Sequence, residues 1–179
     1  MPLLVVRHAR AGRRSAYKGD DLERPLSARG REQAERLVPL LAAYRPRRAL
    51  SSPALRCFET VRPMADALGL PIESVGELGE GNGPAALSLL ERMAGETAVL
   101  CTHRDVATDL LEVLAADRTS KARHRLRLLK GEVWVVQSTE SSLRSWTIST
   151  RSPGGEPDPG PGARPTSDPG RATTTLTAR

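Results

Sequence analysis

The chain has 179 residues, of which 39% are apolar and only 3% aromatic, and it carries a formal net charge of +6. This length holds one domain with a substantial core and is short for two, and the core must be built from Leu, Val and Ala, as in helix-covered parallel sheets rather than aromatic-rich sandwiches. The positive balance suits an anionic substrate; with few aromatics for base stacking and no DNA- or RNA-binding motif, nucleic acid is not an expected partner.

The first element in chain order is Leu3 to Val6, a short apolar run of the kind found in a strand buried on both faces. The amino terminus lacks the basic start and long apolar run of a signal peptide, and nothing later approaches a membrane span. Cys57 and Cys101 match no CxxC or zinc spacing, so reduced thiols and a cytoplasmic location are expected. The strand runs into Arg7-His8-Ala9-Arg10-Ala11-Gly12, where a ligand site belongs in an α/β sheet. Ser27 then caps a helix with an apolar stripe of Ala34, Leu37, Val38 and Leu41, and Pro39 predicts a kink near Val38.

A second strand at Ala49-Leu50 ends in Ser51-Ser52-Pro53-Ala54-Leu55-Arg56. Ser52 reads as a helix cap, with Pro53 at the first helical position and Arg56 one turn inside. Such a helix start favours an anion, and Arg56 adds a bidentate donor for phosphate oxygens. The glycine-rich stretch Val75-Gly76-Glu77-Leu78-Gly79-Glu80-Gly81 follows with two carboxylates. A third strand, Thr97 to Cys101, ends in Thr102-His103-Arg104-Asp105, and Val106, Leu110, Leu111 and Leu114 form the next helical stripe.

Leu126 and Leu128 alternate with basic residues and lead through Lys130-Gly131 into Val133 to Val136, which predicts a closing hairpin; His124 reads as surface. A further strand is expected around Leu143 to Ile148. From Ser152 the chain turns to Pro, Gly, Ser and Thr, so residues 151–179 are expected to be a disordered tail behind a domain of residues 1–150. The tail carries four Arg against three acids, so +5 of the charge sits on the domain.

Strands alternating with helices imply an α/β fold, a doubly wound, mostly parallel sheet flanked by helices, with the site at the carboxyl ends of the strands. One such sheet brings all three strand ends to one edge. It gathers there two His and two Arg, more positive charge than structure requires.

These residues resemble the histidine phosphatase superfamily, with its Arg-His-Gly opening, its Ser-Pro-x-x-Arg helix start and a late His after an apolar strand. Leu26-Ser27-Ala28-Arg29-Gly30-Arg31-Glu32-Gln33-Ala34 and Thr60 also match, and the resemblance spans about residues 3 to 148. The chain is most similar to compact phosphohistidine phosphatases and to the phosphatase-like domain behind a Nudix domain in some actinobacterial proteins. It departs from the pattern at Ala9, usually Gly, which adds a methyl group beside the phosphate, and at Arg104, often small or polar.

The resemblance implies that His8 takes a phosphoryl group from substrate, that Arg7, Arg56 and His103 bind its oxygens, and that water then removes it. Neighbouring Arg side chains should keep His8 unprotonated. Glu80 fits the family's acid position better than Glu77, and Arg10 and Arg104 either contact substrate or face solvent. No cofactor and no metal are expected, since the three His lie far apart in sequence without a carboxylate cluster. The expected substrate is a phosphorylated small molecule, a nucleotide or a phosphohistidine protein. Alternatives are a nucleotide phosphate hydrolase, a non-catalytic phosphate-binding module and, last, a phosphoglycerate mutase, for which the chain is short.

Overall fold

β1 (Pro2–Arg7) sends alternate side chains into two apolar layers, the signature of a strand covered on both faces. In this computed structural model, which describes residues 1–116, 119–138, 146–151 and 176–177, Leu3 and Val5 join one core cluster and Leu4 and Val6 join the other. The remaining strands are β2 (Arg48–Ser51), β3 (Ile72–Ser74), β4 (Ala98–Thr102), β5 (Val133–Ser138), β6 (Trp146–Arg151) and β7 (Leu176–Thr177). They form one sheet in the order β3-β2-β4-β1-β5-β6-β7, parallel from β3 to β1 and antiparallel from β1 onward. The expected doubly wound, mostly parallel core is therefore present, extended by an antiparallel flank.

Two helices cover each face. α1 (Ala28–Ala42) and α2 (Leu55–Leu68) bring Leu37, Leu41, Val61 and Met64 onto Leu4, Val6, Val99 and Cys101. α3 (Gly83–Arg92) and α4 (Arg104–Leu114) bring Leu89, Leu90, Leu110 and Leu114 onto Leu3, Val5, Leu100 and Trp134. Each fully buried Leu contributes about 2 kcal/mol by leaving water, so both layers are strongly held. None of the helices is long and apolar enough to cross a membrane, among the described residues.

Ser27 caps α1, its hydroxyl accepting from the Gly30 amide at 3.1 Å, and Ala34, Leu37 and Leu41 are buried as the stripe requires. The helix runs on through Pro39 to Ala42. Among the described residues, the strands and α-helices with no counterpart in the sequence reading are β3, α3, a short α5 (Ser120–Arg125) and β7. The hairpin expected from Leu126 to Val136 does not form. Residues 120–125 are helical instead, Leu126 and Leu128 are buried beside Trp134, and β5 pairs with β1 and β6. Their alternation reflects two anchors in an irregular segment rather than a strand face. β6 supplies the late strand expected near Leu143 to Ile148, and residues 143–145 lie outside the described residues. Leu176 and Thr177 pair with Ile148 and Thr147, while the rest of the expected tail beyond Arg151 lies outside them too.

Candidate active site

The parallel ladders run one residue past the ends of β1 and β2. The His8 amide donates to the Thr102 carbonyl and the Ser52 amide to the Cys101 carbonyl, each at 3.0 Å. His8, Ser52 and His103 are thereby held at one edge of the sheet, on backbone rather than on a free loop. The His8 and His103 rings stand edge to face with centroids 5.4 Å apart.

His8 is buried, and its Nδ1–H donates to the Ala9 carbonyl at 2.7 Å, which leaves the Nε2 lone pair free. Burial is the main reason its pKa falls to about 3; the charges of His103, Arg56 and Lys130 push the same way, and the bond to Ala9 opposes them. The imidazole is therefore neutral throughout the ordinary pH range. The Ala9 amide donates to Thr60 Oγ1 at 2.9 Å, and Thr60 donates to the Arg56 carbonyl at 2.6 Å, so the loop after β1 is tied to the first turns of α2. The Ala9 methyl is buried against Ala11, Leu26 and Ala34.

Arg56 lies in the first turn of α2 and is almost wholly buried. Its Nη1 donates to the Asp21 carbonyl at 2.7 Å and sits 3.2 Å from the Asp21 carboxylate, while Nη2 donates to Glu80 Oε1 at 2.7 Å. A hydrogen bond from Arg24, aided by the charges of Arg56 and Arg14, holds the Asp21 carboxyl below its ordinary value. His103 Nδ1 is 3.3 Å from both Arg56 Nη2 and Glu80 Oε1; bare, it accepts from the arginine, and protonated, it donates to the carboxylate. His103 Nε2 is bonded to the Ser52 hydroxyl at 2.8 Å. Glu77 instead pairs with Arg92 at 3.1 Å, away from this cluster.

His8, Arg56, His103 and Glu80 thus form one cluster; Arg7, at the same strand end as His8, makes its own hydrogen bond to the Leu128 carbonyl, and Arg104 follows His103 at the start of α4. Successive residues of a strand face opposite ways, so Arg7 turns toward α4, where its Nη1 donates to the Leu128 carbonyl at 3.2 Å and where Arg104 also lies. Accordingly the charges that act on His8 are His103, Arg56 and Lys130, and of the two arginines expected to do so only Arg56 is among them. Arg10 is exposed, and its backbone binds Gln33 and Ser27. Ser52 is not the cap of α2: that helix starts two residues later, after Ala54, and the Ser52 hydroxyl accepts from the Ala54 amide at 3.3 Å while bonding His103.

Sequence reasoning missed Asp21 and Lys130. No motif marks Asp21, and Lys130 reads as half of a turn with Gly131. Only the folded chain shows Asp21 against Arg56, and Lys130 in the field of Arg7, Arg24, Arg10 and Arg56.

Residues 3–85 match the family model of the histidine phosphatase superfamily (branch 1). An 8-oxo-(d)GTP phosphatase of Mycolicibacterium smegmatis is 37% identical over 147 residues, 79% of this chain and 45% of that protein. The chain therefore spans less than half the length of this relative. Among solved structures, a protein of Agrobacterium tumefaciens assigned to the SixA phosphohistidine phosphatases is 25% identical, with a TM-score of 0.71 over 86% of this chain and 98% of its own. The protein histidine phosphatase SixA complexed with tungstate is 23% identical, with a TM-score of 0.69 over 86% and 97%. This last likeness bears on the fold alone.

Proposed function

The chain belongs to the histidine phosphatase superfamily, and from that premise we propose that it is a metal-independent phosphatase with His8 as its nucleophile. The observation that carries this reading is the state of His8: neutral, buried, oriented through Nδ1–H to Ala9, and adjacent to Arg56 and His103. An imidazole so held needs no general base before it attacks.

The Nε2 lone pair forms a bond to phosphorus while the bond from phosphorus to the leaving oxygen breaks. Charge builds on three equatorial oxygens, and Arg56, His103 and Arg7 are the hydrogen-bond donors assigned to them, in place of a metal. Arg56 Nε and Arg7 Nε are buried donors that no acceptor satisfies among the described residues, so a phosphoryl oxygen would meet an unmet need. Glu80 passes a proton to the leaving oxygen and, in the second step, takes one from the attacking water. The nitrogen–phosphorus bond then breaks, His8 regains its electron pair, and inorganic phosphate departs. Asp21 and Ser52 orient Arg56 and His103.

The substrate class follows from Glu80. A carboxyl group beside Arg56 and His103 suits phosphate esters and nucleotide phosphates, whose leaving oxygen needs a proton, and the nucleotide chemistry in the description of the mycobacterial relative agrees. The test is hydrolysis of an aryl phosphate in the presence of EDTA. The wild type should turn over and His8→Ala should lose activity; equal rates in both, or inhibition of the wild type by EDTA, would overturn the reading.

A further inference from the structure

Glu80 stands on the connection between β3 and α3, just after a single 3₁₀ turn at Gly76–Leu78. Its side chain is 44% exposed and glycines flank it on both sides, so local structure leaves the carboxyl group without a fixed position. Its anchors come from another part of the chain. The buried hydroxyl of Thr102 donates to the Leu78 carbonyl at 2.7 Å. Gly81, at φ 80°, donates its amide to Oδ2 of Asp105 at 2.6 Å. The two bonds bracket Glu80, two residues before it and one after it.

Both anchors belong to the segment that carries His103. Thr102 ends β4, His103 is at the N-cap position of α4, and Asp105 lies in the first turn of that helix. The Thr102 carbonyl also accepts from the His8 amide, so His8, His103 and the backbone of Glu80 are set from one short stretch of chain. The bond from Asp105 is charge-assisted, the stronger kind for a backbone N–H. By contrast, the bond from the Asn82 amide group to the Gly76 carbonyl, 2.8 Å, shapes the loop from within and does not tie it to the sheet.

The ion pair of Glu80 with Arg56 cannot hold the acid during reaction, because an incoming phosphoryl oxygen competes for the same guanidinium group. The bonds to Leu78 and Gly81 do not involve Arg56 and persist. Resting on the reading of Glu80 as proton donor, we propose that Asp105 is the positioning residue for this acid. Together with Thr102 it keeps the Glu80 carboxyl group at the leaving oxygen once Arg56 has turned to the phosphoryl group. This clamp favours esters whose leaving group needs a proton, and it contributes nothing to substrates whose leaving group departs unaided.

The test is steady-state kinetics of the full chain on an alkyl phosphate and on dinitrophenyl phosphate, whose phenolate needs no proton. The two are compared as kcat/KM, which reports the first phosphoryl transfer and not the later hydrolysis. Asp105→Ala should lower this value about 10-fold or more for the alkyl ester and about 2-fold or less for the dinitrophenyl ester. Asp105→Asn, whose side-chain oxygen still accepts from Gly81, should recover most of the loss. Thr102→Val should show the same selective loss as Asp105→Ala. In a Glu80→Gln background, Asp105→Ala should cost about 2-fold or less on either ester, because no acid is left to position. Retained turnover of the dinitrophenyl ester shows that the variants are folded.

Equal losses on the two esters, no loss on the alkyl ester, or an undiminished loss from Asp105→Ala in the absence of Glu80 would overturn the proposal and leave the acid in place. A different outcome removes the acid itself: Glu80→Gln losing as much on the dinitrophenyl ester as on the alkyl ester. The proposal would then fall with it, as it would if the wild type turned over neither ester.

Discussion

Arg56 and Glu80 are joined at 2.7 Å although one is almost wholly buried and the other is 44% exposed. The buried guanidinium also holds Asp21, which is only 20% exposed. An incoming phosphoryl group therefore meets an arginine with one firm partner and one loose one. In the proposed mechanism it displaces Glu80 more easily than Asp21, which would place a freed carboxyl group beside the leaving oxygen.

Glu80→Gln should lower kcat for an alkyl phosphate by about 10² to 10³, with KM unchanged or lower, because the amide cannot shuttle the proton but no longer competes as an anion for Arg56. A phosphohistidine peptide, whose imidazole leaves readily, should lose about 3-fold or less. Steady-state kinetics on both substrates check this; unchanged ester turnover would remove Glu80 from the mechanism.

Arg56→Lys should reduce kcat/KM by about 10² or more although the charge is kept, since an ammonium group cannot hold Asp21 and a phosphoryl oxygen from two ends of a planar fork. The lost transition-state stabilisation is about 3 kcal/mol. A thermal melt run beside the kinetics separates this loss from unfolding, and a variant that melts like the wild type with full activity would contradict the assignment.

The depressed pKa of His8 makes stability depend on pH. Between about 3 and the ordinary value of 6.5 the unfolded chain binds a proton on this residue and the native chain does not, so stability rises with pH there and is lost as pH falls below 6.5. From pH 7 to about 4.5 this residue alone should cost about 2 to 3 kcal/mol. Denaturant unfolding at both pH values should show His8→Asn losing less stability than the wild type by about that amount; identical losses would mean that His8 titrates normally.

Gly30 sits in the first turn of α1, where a Cβ would run into the Arg10 backbone carbonyl that the capping Ser27 also binds. Gly30→Ala should destabilise the fold by about 2 kcal/mol or more and displace the loop that carries Ala9 and Arg10. Urea unfolding with a parallel activity assay checks both effects, and a neutral substitution would show that the loop yields freely.

These residues also show what the sequence made legible. The strand ends bearing His8 and His103 could be read because four or five apolar residues followed by a His form a local signal, and Ser27 because capping is local. β3 escaped because it is a three-residue edge strand that is only partly buried. The division of the arginines was hidden for another reason. Arg7 and His8 are adjacent in sequence, and the pleat of β1 turns Arg7 toward the Leu128 carbonyl and His8 toward His103. Asp21 was hidden because its partner is 35 residues away.

The central claim is that His8 itself carries the phosphoryl group. The most direct measurement is to mix the full chain with a slowly hydrolysed phosphate ester, quench in alkali, where phosphohistidine survives, and map the modified peptide by mass spectrometry. The account predicts one phosphoryl group on the peptide that contains His8, removed by brief acid treatment and absent from His8→Ala. Turnover with no phosphoryl group on that peptide, or with one that resists acid, would contradict it.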